Sequence, residues 1–390
     1  MKLTGSLIFL DSKKEGSLCR SFKSIREYNI GWGDIKIMNS KELIKELCET
    51  TAVTGHESNI VPLLKSAFED YVDDFQIDKL GNFAAVKKGS SNKEDPPKIL
   101  LAAHMDEIGL MVKKIDENGF IKFSTVGGID PRTLPGQKVK VHGKESITGI
   151  IGAMPPHLLS AEDMDSKAYK LDELYVDTGY SEEELKQIIS IGDVISMDRE
   201  LLSLHNDYVS GKALDDRAGV LMMIEAAKEL QRLNHEIDVY FVATVQEEIG
   251  IKGAITSTYD IFPDLGIAID VCHGLMPGVN SSEASKMNEG PAIALGPQVH
   301  QDIFALLKDE ASKRSIPYQI ETNNSPFGTD AAGMQIARSG VATALISIPL
   351  RYMHTSVELI SLNDVKYGAQ LLASSIAAID DEFLEGLRCY

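Results

Sequence analysis

Five positions carry side chains that bind divalent cations, and each borders a stretch that reads as a buried strand. His104 follows the apolar run KILLAA, with Asp106 two residues on. Residues i and i+2 of an extended chain share a face. His104 is therefore placed to bind a metal while Asp106 orients the imidazole from behind. Asp215 and Asp216 open the segment LDDRAGVLMMIEAAKEL. Adjacent carboxylates repel one another, a cation relieves the repulsion, and a carboxylate can bridge two ions. Glu247 and Glu248 end the strand DVYFVATVQ. Neighbours at a strand end point different ways, so one can ligate a metal while the other faces substrate as a general base. Asp270 ends GIAID, and His354 follows ATALISIPL through Arg351-Tyr352-Met353. Each alone has a plainer reading: a surface hydrogen bond for His104, a helix cap for the Asp pair, an acidic turn for the Glu pair. Together, at strand ends of one α/β unit, they point to a metal site. Cys272 and His273 adjoin Asp270, but a site supplied with five oxygen and nitrogen ligands does not need them, and they read as structural.

The elements that must hold these residues follow from periodicity. Helices are expected near 39–50, with Ser40 as N-cap, and near 57–72, then strands at 74–78, 82–87 and 98–103. LMVKKI and FIKFSTV flank Glu117-Asn118-Gly119, a hairpin signal. Further short strands follow, with a helical piece near 181–190, so 109–208 reads as a small β-rich domain. After it, helix and strand alternate: Ala213–Leu233, EIDVYFVAT, GIAIDV, QDIFALLKDEASKR, YQIE, DAAGMQIARSG and ATALISIPL. That alternation predicts an α/β fold with a mostly parallel central sheet flanked by helices. The catalytic unit spans 38–108 and 209–390, with 109–208 inserted. The insert carries none of the five ligands, so its expected work is association. Residues 1–37 show no periodicity and close on Gly31-Trp32-Gly33-Asp34. They read as an upstream extension or a misplaced start ahead of Met38, the alternative being an ordered N-terminal arm.

Composition excludes some classes of function. Lys plus Arg is 39 and Asp plus Glu is 58 in 390 residues, a net charge of −19. Such an acidic chain is repelled by phosphates, which argues against nucleic acid or an anionic membrane as partner. Cysteines at 19, 48, 272 and 389 form no CxxC pair and no disulfide framework, which fits a reducing, cytoplasmic compartment. No window approaches a membrane span, and no secretory signal is read at the start.

The motifs HMDEIG, LDDRAG, QEEIGIKGA, the Asp of AIDVCHG, and RYMHTSVE resemble, in order, the signature set of the tetrahedral di-metal aminopeptidases. That group includes glutamyl aminopeptidases, also often labelled endoglucanases. The resemblance runs from about Ser40 to Ala377. It implies that Asp215 bridges two metal ions, that His104 and Asp270 complete one, and that Glu248 and His354 complete the other. Glu247 is then the general base and Asp106 supports His104. Zn²⁺, Co²⁺ or Mn²⁺ suits this donor set. The implied reaction is hydrolysis of N-terminal residues from short peptides by a metal-activated water. The insert resembles the family's PDZ-like dimerisation domain, and members similar to this chain build dimers into a hollow dodecamer.

Two further classes compete with this reading. The same scaffold could serve an N-acyl amino acid deacylase. A glycan hydrolase would need a metal-free carboxylate pair and would leave His104 and His354 without work. A metal-stabilised scaffold needs no base, which the Glu247–Glu248 pair argues against. Side-chain specificity is least legible. The loop Thr322–Asp330 (TNNSPFGTD) is expected to line the pocket with no fixed charge that would require an acidic or basic substrate, so a neutral, leucine-like preference is expected.

Overall fold

The structure, a computed structural model, describes residues 39–158, 169–322 and 328–387. The expected N-terminal extension and most of the loop Thr322–Asp330 lie outside the described residues. Among those described, no helix is long and apolar enough to cross a membrane.

The strands β1 (Asp74–Ile77), β2 (Phe83–Lys87) and β3 (Lys98–His104) begin the main sheet. Six strands then close into a barrel: β4 (Gly109–Ile115), β5 (Ile121–Val126), β6 (Lys138–His142), β7 (Ser146–Gly152), β8 (Tyr175–Asp177) and β9 (Val194–Met197). β10 (Leu202–Ser203) and β11 (Tyr208–Gly211) lead back. β12 (Asp238–Thr244), β13 (Leu265–His273), β14 (Ala292–Leu295), β15 (Gln319–Thr322) and β16 (Ala342–Leu350) complete the main sheet, and β17 (Glu358–Ser361) joins β10 and β11 in a small sheet.

The main sheet has eight strands in the order β1-β2-β12-β3-β13-β16-β14-β15. Its centre, β12-β3-β13-β16, is parallel throughout. The sheet is mostly parallel as expected, since β14 and β15 also run parallel, while β1 to β2, β2 to β12 and β14 to β16 are antiparallel. The centre is parallel because its strands are apolar on both faces: nearly every residue of β3 and β13 is buried, as helices on each face require. The helix Leu214–Leu230 packs on β3 and β13 and against the helices Leu362–Ala377 and Ser40–Glu49. It is apolar almost all round and correspondingly buried almost all round.

Local chemistry corrects one boundary. The first helix is capped by Asn39, whose side-chain oxygen accepts from the N–H groups of Lys41 and Glu42, and Ser40 is already helical. Asn39 is the residue whose carbonyl reaches the free donors two and three places on. The Ser40 hydroxyl instead donates to Glu225.

The barrel has its own apolar core, including Leu110, Val112, Ile121, Phe123, Val139, Val141, Val176 and Ile195. β6 and β7 alternate buried and exposed residues, as a strand with one dry face does. Gly119 takes a left-handed conformation (φ 85) in the turn between β4 and β5, where the Asp116 carboxylate accepts from the N–H groups of Asn118 and Phe120. Ile150, Met154, Leu158 and Ile191 of this region remain exposed.

Candidate active site

The parallel strands deliver the candidate residues to one end of the sheet. His104 and Thr244 are partners in the β3–β12 register, so Asp106 and the Glu247–Glu248 pair leave the sheet side by side. Asp270 lies in β13 opposite Ser347 of β16, and β16 runs on to His354. Asp215 arrives from the start of the helix Leu214–Leu230. There Asp215 (φ −80, ψ 104) and Asp216 (φ −119, ψ 39) are non-helical and the peptide bond between them is cis. The carboxyl ends of parallel strands are where α/β proteins form their sites.

Both imidazoles are fixed in the same way. His104 Nδ1 lies 3.1 Å from the main-chain oxygen of Asp106, and His354 Nδ1 lies 2.8 Å from that of Gly128. A carbonyl only accepts, so each Nδ1 carries a proton and each Nε2 faces inward. His104 Nε2 is 3.1 Å from Asp215 Oδ1, and His354 Nε2 is 3.3 Å from Asp215 Oδ2. One carboxylate thus presents an oxygen to each ring. Glu248 Oε1 lies 3.5 Å from His354 Nε2. His104, Asp215 and Glu248 place ligand atoms within 4.8 Å of one another, as do His104, Asp216 and Asp270.

This donor set fits divalent ions. Ligand atoms about 2.05 Å from a tetrahedral ion lie about 3.3 Å apart, close to the separations around Asp215. The charge balance points the same way. Burial, with Asp270, Asp330 and Glu248 adding to it, pushes Glu247 up to about 9. Burial and the Asp215 charge push Glu248 up to about 7 and hold Asp270 well above the usual carboxylate range. Asp215 is held low despite burial, because His104 and His354 both bond to it. The bond to Asp215 lifts His354 to about 9, and burial opposes this. A site this dry and this acidic gains most from cations.

The structure brings His104, Asp215, Glu248, Asp270 and His354 together around a cleft of about 530 Å³ that Glu247 also lines. Asp106 lies behind His104, with its carboxylate 3.7 Å from Nδ1. Its main-chain oxygen orients the ring, while its buried carboxylate accepts from Thr54 Oγ1 (2.8 Å) and from the N–H groups of Glu247 (3.1 Å) and Glu248 (3.3 Å). An exposed His273 and a buried Cys272 stay outside both clusters.

Further residues shape the site. Gly128 lies in the stretch expected as an insert, and that stretch takes part in the site by orienting His354. Asp216 is fully buried, one oxygen accepting from Gly219 N–H and the other without a protein partner. Asp330, buried and pushed up to about 6 mainly by burial, accepts from Thr244 Oγ1. Glu358, 2% exposed, accepts from the N–H groups of both Asp215 and His354. Its visible signal is an acid at the head of the apolar strand ELIS, four residues after His354. Of the loop Thr322–Asp330, residues 323–327 lie outside the described residues, and Gly328 and Thr329 line the cleft.

Residues 81–371 match the family described as M42 glutamyl aminopeptidase. A lysyl aminopeptidase from Pyrococcus furiosus is 40% identical over 329 residues, 83% of this chain and 93% of that protein. An aminopeptidase from the archaeon Desulfurococcus kamchatkensis superposes with a TM-score of 0.83 at 37% identity, covering 90% of this chain and 98% of that one. The TET1 peptidase of Pyrococcus horikoshii, which can assemble into a tetrahedron or a large octahedral shell, gives 0.75 at 32% identity over 86% of this chain and 98% of that one.

Proposed function

Since the chain belongs to the M42 glutamyl aminopeptidase family, a family of metallo-exopeptidases, we propose that it removes N-terminal residues from short peptides at a two-ion site, with Glu247 as general base. The observation that carries this is Asp215, whose two oxygens face two imidazole Nε2 atoms, each ring pinned behind by a main-chain carbonyl. Asp215 would serve both ions, with His104 and Asp270 holding one and Glu248 and His354 the other. Nitrogen and carboxylate donors without sulfur suit Zn²⁺, Co²⁺ or Mn²⁺. When bound, the ions supply Lewis acidity, lowering the pKa of coordinated water and polarising the scissile carbonyl.

The remaining work falls to the chain's own residues. Glu247, lining the cleft, takes a proton on its carboxylate from the attacking water and passes it to the leaving amine nitrogen. Burial and the neighbouring carboxylates raise its pKa in the metal-free site, and cations bound beside it would lower that pKa and leave a carboxylate able to take the proton. The Asp106 carboxylate holds the main chain of Glu247 and Glu248 and so sets the base relative to the ligand.

Beyond the acidic cluster and its histidines, the described lining of the cleft includes Gly250, Ile251, Val271, Thr329 and Met353, all uncharged. Residues 323–327, Asn-Asn-Ser-Pro-Phe, add no charge. This supports a neutral, leucine-like preference, in contrast to the lysyl and glutamyl names among the relatives. The catalytic unit of 38–108 and 209–390 associates through the insert, 109–208, first as dimers and then as a dodecamer. The exposed Ile150, Met154, Leu158 and Ile191 favour this reading.

A panel of aminoacyl-p-nitroanilides, assayed before and after chelation and after adding back Co²⁺ or Zn²⁺, tests it. Metal-restored cleavage with highest kcat/KM on the leucyl substrate supports it. Activity indifferent to chelation removes the metal site from the reaction, and a Glu or Lys preference above about tenfold removes the pocket argument.

A further inference from the structure

Asp215 and His354 come from distant parts of the chain, yet one buried carboxylate holds both main chains. Glu358 Oε2 accepts from Asp215 N–H at 3.1 Å, and Oε1 from His354 N–H at 2.9 Å. The small sheet explains the geometry. Glu358 pairs with Gly211, the last residue of β11, just before the turn into Asp215. On its other side β17 bonds back to the segment ahead of His354, Leu359 and Arg351 exchanging both main-chain bonds at 3.0 and 3.1 Å. Glu358 therefore sits where the chains to the two candidate ligands diverge. His354 lies at φ 60, a left-handed conformation that a residue with a Cβ keeps only when its surroundings hold it.

We infer that Glu358 is a positioning residue that sets the spacing between Asp215 and His354, and through it the affinity for the metal ion beside His354. The inference rests on the two-ion reading above. Each oxygen of Glu358 serves one N–H donor, so a glutamine there would turn its amide NH₂ against one of them and lose that bond. His354 would stay oriented by Gly128 yet lose its fixed distance from Asp215.

The test is titration of metal-free wild type and Glu358→Gln with Co²⁺, followed by heat and by the visible d–d bands. Release of metal from the loaded proteins to a chelator is measured alongside. Glu310→Gln serves as a control, since Glu310 is also a buried carboxylate but pairs with Lys313 and Arg314 within its own helix, Gln301–Arg314. We expect wild type and Glu310→Gln to take two ions alike. In Glu358→Gln one of the two should bind about 10- to 100-fold more weakly, the range for removing a residue that supports a metal ligand. Its d–d band should shift and its release should quicken by the same factor. Wild-type affinity, spectrum and release in Glu358→Gln would overturn the inference while leaving the two-ion reading intact. A variant that stays unfolded even with saturating metal would overturn it too, in favour of a purely structural role. Wild type that binds no Co²⁺ would instead remove the two-ion reading itself.

Discussion

Replacing Gly128 by alanine perturbs the site from the barrel side without touching a candidate ligand. A Cβ built at Gly128 would lie 2.9 Å from His354 Nδ1 and 3.2 Å from its Cε1. An ordinary contact between heavy atoms needs about 3.5 Å, so the ring or the Gly128 main chain must retreat by about 0.6 Å. If the ring moves, Nε2 leaves its 3.3 Å separation from Asp215 Oδ2. If the main chain moves, the 2.8 Å bond to Nδ1 that orients the ring is lost. Metal ligands tolerate errors of about 0.2 Å, so either route weakens one ion by about 10- to 100-fold. Equilibration of Gly128→Ala in buffered Zn²⁺, followed by metal analysis, should show one ion depleted per chain and activity falling with it. Gly386→Ala, where an added Cβ meets nothing within 4 Å, is the control. Full occupancy and wild-type kcat in Gly128→Ala would refute the reasoning and return the barrel to a role in association alone.

Three other outcomes are expected. Glu247→Gln should keep both ions and lose ~10²-fold or more in kcat with KM little changed; wild-type turnover at full occupancy would remove Glu247 from the mechanism. Metal-free protein should lose thermal stability as pH rises from about 5 to 9. His354 is raised from 6.5 to about 9, so its contribution is complete below 6.5 and lost through 9, and Glu247, raised from 4.5 to about 9, acts in the same direction. Loaded protein should lack that fall, and an equal fall in both forms on calorimetry would count against the site's electrostatics. Light scattering should find a dimer as the smallest unit and a dodecamer with metal; a fully active monomer at micromolar concentration would defeat the proposal for assembly.

What was legible in the sequence was whatever depends on side-chain type at a strand end. His104, Glu248 and Asp270 announce themselves because an apolar run stops or is interrupted at a residue that burial would otherwise exclude. The buried centre of the sheet was readable for the same reason. Main-chain chemistry was not. Gly128 orients His354 through its main-chain carbonyl, so no side chain advertises the role. Glu358 was hidden because its partners are two N–H groups, one of them 143 positions away. Which strands of the mostly parallel sheet run antiparallel was not legible, because periodicity carries no strand direction, and Asn39 took the cap from Ser40 by one residue of register.

The central claim is that Asp215 lies between two ions. Anomalous diffraction at the zinc edge from crystals of the metal-loaded protein tests it most directly. The account predicts two peaks per chain on either side of the Asp215 carboxylate, one shared with His104 and Asp270 and the other with His354 and Glu248. A single peak, or a pair bridged by Asp216 with Asp215 outside the coordination, would contradict it.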